Sequence, residues 1–431
     1  MAEEFPLHES IFRGDLKAVS QLLRTHDVAQ KDKHGNTPLH LAIMLGHKEC
    51  VHLLLAHNAP VKVKNAQTWG PLAEAISYGD RQTITSLLRK LKQQSKENYE
   101  SRRPLLVQAL KELGDFYLEL KWDFQSWLPL VSRILPSDIC KIHKKGSCVR
   151  MDTTLVDFND MKWERGDISF IFNGEKKPSH SLKVLDNKTR VYQRVRQEDT
   201  EAEIEEEVDI LMCSDIVAAQ MSTKNITFTR AQSGWFFKED KSEKVGTYNT
   251  DFYAVHGLNL ESKKRREHLT EEDLHKNKTL MENLSKGRMV EHLETQRRTS
   301  LPPPPPTNVT WEQYIKSPAG KPPLIGRIRV SKENCKTFKA TLGMSQDFPM
   351  SVNTLLDVLE IIAPLKQFTK LREFMETKLP DGFPVKIEIP VFPTVTAKVT
   401  FQDFEWRTNI SDNLFTVPKD YSEDPNRFPD L

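Results

Sequence analysis

HGNTPLHLAIMLGHKECVHLLL, residues His34 to Leu55, is the stretch from which the fold is read. A Gly-containing turn leads into Thr37, whose hydroxyl suits a helix N-cap, and Pro38 presets φ for the first helical position. Leu39 and Leu41 to Ile43 supply the inward face, and Gly46 fits the left-handed residue that ends such a helix. A second apolar run, Val51 to Leu55, predicts an antiparallel partner helix. The unit is a helical hairpin that cannot bury its own apolar face and therefore needs neighbours.

Those neighbours are in register on both sides. Gly14, Gly46 and Gly79 fall 32 and then 33 residues apart, and the pairs Leu22-Leu23, Leu54-Leu55 and Leu87-Leu88 keep the same phase. The Thr37–Ala42 hexapeptide, TPLHLA, is the opening of an ankyrin repeat, and three stacked repeats are about the minimum for a stable array. The array is placed over residues 5–90. Its third copy, TWGPLA at Thr68–Ala73, departs from the pattern as a terminal repeat does. His8 and His40 occupy equivalent positions, where the ring is expected to bond the turn of the next repeat. Which residues contact a partner is not given by the sequence; the turns near His34, Asn36 and Trp69 are the candidates.

At 431 residues the chain predicts two or three domains. Lys plus Arg number 62 against 60 acidic residues, a net charge of +2, which argues against a general nucleic-acid binder. No apolar run approaches the roughly 18 residues that a membrane span requires, and Met1–Glu4 is acidic with no signal-peptide core, so synthesis and residence in the cytosol are expected. Five scattered cysteines agree with a reducing compartment.

Beyond the array, residues 91–104 read as a polar linker or solvated helix punctuated by Pro104. Residues 105–120 read as an amphipathic helix continuing into KWDFQSWLPLVSRILP, with Trp127, Leu130 and Ile134 on a buried face. From Val149 the periodicity turns to alternation. Strands are expected near Ile168–Phe172, Ser181–Leu185, Val191–Val195, Asn225–Arg230, Gly234–Phe237 and Tyr253–His256, and short strands with turn signals between them predict an antiparallel sheet. Glu198–Asp209 holds eight carboxylates in twelve residues with no basic neighbour, and is read as a solvated loop or the acidic start of a helix. Residues 261–300 are charged but mixed in sign. Arg297-Arg298-Thr299-Ser300 has the form of a site for kinases that favour basic residues, making Ser300 a candidate phosphoacceptor. Pro302–Pro306 must be polyproline II, read as a stiff spacer. Further strands are expected at Arg327–Val330, Phe338–Met344, Val385–Ile389 and Val395–Phe401, with helices starting at Ser351 and Pro364.

The motif search finds no Walker A loop, GxGxxG, HExxH, GxSxG or CxxC, so no enzyme, cofactor or ATP dependence is expected. Cys140, His143 and Cys148 offer zinc-ligand chemistry but lack a fourth partner, and no metal site is assigned. From residues alone the chain is an α+β binding protein: an ankyrin helical-hairpin array followed by a larger domain of antiparallel sheet and helices.

Several ordered segments then carry a resemblance: Asp115-Phe116-Tyr117 with Lys121-Trp122, Phe124, Ser126-Trp127 and Pro129 to Arg133; Arg165-Gly166 with Ser169 to Phe172; Thr223 to Ile226 with Phe228; Glu267 to Glu272; and FPVKIEIP at Phe383–Pro390. With the repeats they resemble the ankyrin repeat domain 13 family over about residues 5–404. Its C-terminal region is called a GPCR-chaperone domain, here laid over residues 105–260 and 323–418 with a charged, proline-rich insertion at 261–322. The chain ends in SEDPNRFPDL without the acidic ubiquitin-interacting helices of some members, and so looks like the C-type branch. That branch usually carries a longer N-terminal extension, so a shortened form is among the expectations. The resemblance implies an ATP-independent chaperone or retention factor for G-protein-coupled receptors. It would bind their cytosolic loops or tail and associate peripherally with the cytoplasmic side of the endoplasmic reticulum membrane. A cytosolic adaptor in endocytic trafficking and a lipid-binding β-rich domain are the alternatives.

Overall fold

The structure, a computed structural model, describes residues 5–428 except 127–134, 160–161, 197, 223–224, 235–238, 286–296, 357–378 and 393–394. The expected continuation through Trp127 to Ile134, most of the Gly234–Phe237 strand and most of the helix from Pro364 therefore fall outside the described residues. The chain divides into two compact units, one of residues 1–98, 198–220 and 262–334, the other of residues 99–197, 221–261 and 335–431.

The first unit contains the array. Three helix pairs follow in order: α1 Pro6–Phe12 with α2 Leu16–Leu22, α3 Pro38–Leu45 with α4 Lys48–Ala56, and α5 Pro71–Tyr78 with the start of α6, Arg81–Glu112. Each first helix has proline in its opening turn, and α3 and α5 end on Gly46 and Gly79 in the left-handed region. A continuous core of Leu7, Ile11, Leu39, Leu41, Leu54, Ile84 and Leu87 runs through the stack. Ile204, Val208 and Met212, Trp311 and Tyr314, and Ile325 join that same core. The acidic block, read from the sequence as a solvated loop or the acidic start of a helix, opens the helix Glu201–Cys213, and it and the proline-rich insertion, read as a spacer, belong to the array's unit.

Residues 91–104 lie inside α6, and Pro104 interrupts its hydrogen bonding without ending the helix. An internal proline costs a helix about 3 kcal/mol, a cost that Leu106, Val107 and Leu110 offset by packing into the core of the second unit.

The second unit is built around β1, Phe116–Ser126, where a helix had been expected. Aromatic and apolar side chains at positions 116, 120 and 124 fit a helix face and a strand face alike, and Phe116 and Leu118 are buried in a common core as strand neighbours. β1 pairs antiparallel with Val395–Trp406 on one side and with β2, Ser137–Lys145, on the other. From β2 the sheet continues through β3 Cys148–Asn159, β4 Lys162–Asn173, β5 Leu182–Asp186 and β6 Val191–Arg194. On the other side Val395–Trp406 pairs with Phe383–Phe392, the FPVKIEIP strand, which pairs in turn with Ser331–Ser345. Phe348, Phe383, Phe401 and Phe404 pack as an aromatic cluster, with Phe348 and Phe383 stacked at 3.9 Å. The architecture is therefore α+β, an ankyrin array and a large, mostly antiparallel sheet with helices. Arg327–Val330 is not a strand; the ladder begins at Ser331.

Candidate interaction site on the ankyrin array

The array's turns are assembled as the repeat motif requires. His40 Nδ1 accepts from the Thr37 N–H at 3.2 Å, so its proton sits on Nε2, which donates to the Trp69 carbonyl of the next repeat at 3.1 Å. His8 makes the equivalent bond to the Asn36 carbonyl at 3.1 Å. Burial lowers both rings' pKa below the ordinary 6.5, outweighing the nearby carboxylates, so both stay neutral. In the second turn Asp32 Oδ1 accepts the backbone N–H groups of His34 and Asn36 at 2.8 and 2.9 Å. Asn65 takes the same role one repeat later, accepting from Gln67 and Trp69, both at 3.0 Å. Asn65 Nδ2 also donates to Asn36 Oδ1 at 3.0 Å, tying the two turns together.

The three candidate residues all sit in this row, and each is covered by the chain itself. His34 and Asn36 meet the short helix Trp311–Lys316. Tyr314, fully buried, donates its hydroxyl to Asp32 Oδ2 at 2.6 Å and accepts from Asn36 Nδ2 at 2.8 Å. His34 Nε2 lies 3.1 Å from the Tyr314 carbonyl and 3.1 Å from Ser317 Oγ. The Tyr314 ring meets His34 edge-on at 4.9 Å and tilts against Phe12 at 5.3 Å, while Trp311 stacks on it at 5.7 Å. Burial, and then Asp32, raise the tyrosine's pKa, so the hydroxyl remains a donor. The helix forms locally because Thr310 and Gln313 make a capping box.

Trp69 is covered differently. The Arg265 guanidinium lies over its ring at 5.0 Å, with the residue only 1% exposed. Two carboxylates close on that cation: Glu74 at 3.0 Å and Glu267 at 2.6 Å. Ser77 Oγ donates to Glu267 at 2.6 Å, and Arg329 reaches the other oxygen of Glu74 at 3.3 Å. Burial would raise the Glu267 pKa, but Arg265 and Ser77 leave it below the ordinary carboxylate value. Arg327 donates to the carbonyls of Ser77 and Tyr78, both at 3.0 Å.

The carboxylates at Glu198–Asp209 find basic partners along α6. Lys92 bridges Asp199 at 2.9 Å and Glu207 at 2.7 Å, Lys96 meets Glu198 at 2.6 Å, and Arg81 meets Glu205 at 2.5 Å and also Asp209. Thr200 caps the helix Glu201–Cys213 through a box with Glu203. Ser300 lies at the start of α6, where its Oγ accepts from the Arg81 N–H at 3.0 Å and donates to Asp80 at 3.4 Å.

The sequence nominates the turn residues and Ser300 but gives no pointer to Asp32, Arg265, Glu74 or Glu267. The T-x-x-Q box with aromatic residues three apart at Trp311 and Tyr314 was the available signal for the Trp311–Lys316 helix. In the second unit Cys140 and His143 project from opposite faces of β2 by strand alternation, and no cluster of three or more metal-ligand side chains occurs among the described residues. A cleft of about 590 Å³ there is lined by Glu243, Asp251, Asp347 and Asp381 with Asn249 and Thr250, a charged lining rather than an apolar one.

Array and sheet together define a class, an ankyrin-repeat protein with an appended α+β domain. A profile described as three-copy ankyrin repeats matches residues 6–101, and one described as ANKRD13 C-terminal matches residues 150–427. The chain is 66% identical to Ankyrin repeat domain-containing protein 13C-A of Xenopus laevis, over 99% of this chain and 84% of that protein. It is 64% identical to the 13C protein of Homo sapiens, covering 99% and 79%, and 34% identical to the human 13B protein, covering 92% and 67%. The chain belongs to the ankyrin repeat domain 13 family, and its likeness to the C-type members is the strongest of these.

Proposed function

We propose that this chain is a non-enzymatic, ATP-independent chaperone or retention factor for G-protein-coupled receptors, holding receptor cytosolic loops or tails at the cytoplasmic face of the endoplasmic reticulum. The observation that carries the reading is identity to C-type relatives over 99% of the chain, both units included. An ankyrin array supports protein recognition in general. No helix among the described residues is long and apolar enough to cross a membrane, so attachment in this reading runs through a bound partner. The test is co-purification of the full chain with an immature receptor, together with receptor surface delivery after loss of the chain. Capture of the core-glycosylated receptor and faster surface arrival without the chain are expected. Capture confined to ubiquitinated receptor on endosomes transfers the assignment to an endocytic adaptor, and no capture with unchanged delivery removes it.

A further inference from the structure

The segment Arg297–Pro302 is a strap fastened to the third repeat. Leu301 N–H donates to the Gly79 carbonyl at 2.8 Å, Arg327 holds the Pro302 carbonyl at 2.8 Å, and the Arg298 N–H donates to Asp209 at 2.7 Å. Leu301 packs so closely that a Cβ on Gly79 would lie 2.5 Å from its side chain. Within this strap Ser300 is exposed, stands two and three residues after Arg298 and Arg297, and precedes an apolar residue, Leu301. That arrangement suits a kinase that reads basic residues on the N-terminal side of its acceptor.

We infer that Ser300 is a phosphorylation site whose modification unfastens the strap from the third ankyrin repeat. The reaction transfers the γ-phosphoryl group of ATP: the Ser300 Oγ–P bond forms, the bond from the γ-phosphorus to the β,γ-bridging oxygen breaks, the hydroxyl proton passes to the kinase's base, and ADP leaves. The consequence follows from the neighbours. Ser300 Oγ gives up the proton it donates to Asp80, and a group of charge about −1.5 to −2 arrives beside that carboxylate. Asp80 already fills the cap of α6, accepting from the Thr83 N–H at 3.0 Å and hydroxyl at 2.7 Å and pairing with Lys48 at 2.7 Å. The nearby guanidiniums are engaged as well, Arg81 by Glu205 and Asp209, Arg298 by Asp273, and the four-fifths exposed Arg297 by Glu205 at 3.7 Å. The new dianion keeps the Arg81 N–H as a donor but stands against Asp80, the carboxylate in contact with Ser300, where the cap is filled and the cations are paired; repulsion from Asp80 is the term that unfastens the strap.

The inference is independent of the receptor reading. Its test is treatment of the full chain with a basophilic serine/threonine kinase and ATP, with the acceptor located by mass spectrometry and amide exchange compared with and without ATP. The expected result is about one phosphate per chain on Ser300, absent in Ser300→Ala, and roughly tenfold faster exchange at residues 79–84 and 300–301 with α3 and α4 unchanged. The ATP comparison needs no variant, so a folding defect in Ser300→Ala does not blunt it. Labelling of a synthetic peptide of residues 295–304 but not of the full chain overturns the inference, as do phosphate on Thr299 alone and phosphorylated Ser300 with unchanged exchange.

Discussion

The chain closes two neighbouring turns of its own array by opposite means. At the turn of the second repeat the closure is aromatic, with Tyr314 inserted whole and its hydroxyl shared between Asp32 and Asn36. At the third repeat it is ionic, with Arg265 held over Trp69 between Glu74 and Glu267. Asp32 and Asn65, which organise the two turns through the same backbone bonds, account for part of the difference. Asp32 retains a free carboxylate oxygen for a tyrosine hydroxyl, whereas the Asn65 amide is spent on Asn36. A one-atom change in a repeated turn thus changes what it accepts.

The largest effect is expected at the ionic closure. Arg265→Ala removes the cation shared by two buried carboxylates, leaving Glu74 with Arg329 and Glu267 with Ser77, and breaking such a cluster from one side costs about 3–5 kcal/mol. Thermal or denaturant unfolding reads this directly, and a loss under 1 kcal/mol would show that water screens the site. Tyr314→Ala comes next, at about 3 kcal/mol for a truncated buried aromatic ring. Tyr314→Phe keeps the ring and costs about 1–2 kcal/mol by removing the donor to Asp32 Oδ2. If the two tyrosine variants lose equally, the hydroxyl network and not the ring is what seats the helix.

Acid sharpens the comparison from within the stack. His8 and His40 are held neutral with lowered pKa, so the unfolded chain takes up protons below about 6.5 that the folded stack refuses. Their contribution is complete above that value and is lost as pH falls below it, moving the unfolding midpoint down by about 2–4 °C per kcal/mol lost. A midpoint that rises on acidification from pH 7 to 5.5 contradicts the neutral assignment. The smallest effect belongs to the exposed pair of Arg89 and Glu201, where Arg89→Ala is expected to cost less than about 1 kcal/mol and to vanish in high salt.

The array was legible because its information is local: TPLHLA, the three phased glycines and the leucine pairs each lie within one hairpin. Its coverings were not, because their partners stand far along the chain, Tyr314 against Asp32 and Arg265 against Glu74. A charged run such as Glu198–Asp209 looks solvated until α6 supplies Arg81, Lys92 and Lys96 in space. β1 was misread because its apolar positions satisfy two periods at once, and only pairing with β2 and Val395–Trp406 selects the strand. The candidate turn residues His34, Asn36 and Trp69 came from the repeat pattern, which marks where an array presents itself and says nothing of an occupant already in place.

That occupancy is tested most directly by a double-mutant cycle between Asn36→Ala and Tyr314→Phe in the full chain, read as unfolding free energy. The two side chains are 278 positions apart in sequence and share a 2.8 Å hydrogen bond. The account predicts that the double variant loses less than the sum of the single losses, by about 0.5–1.5 kcal/mol. Losses that add, with no coupling, would mean that the Trp311–Lys316 helix does not sit on the array.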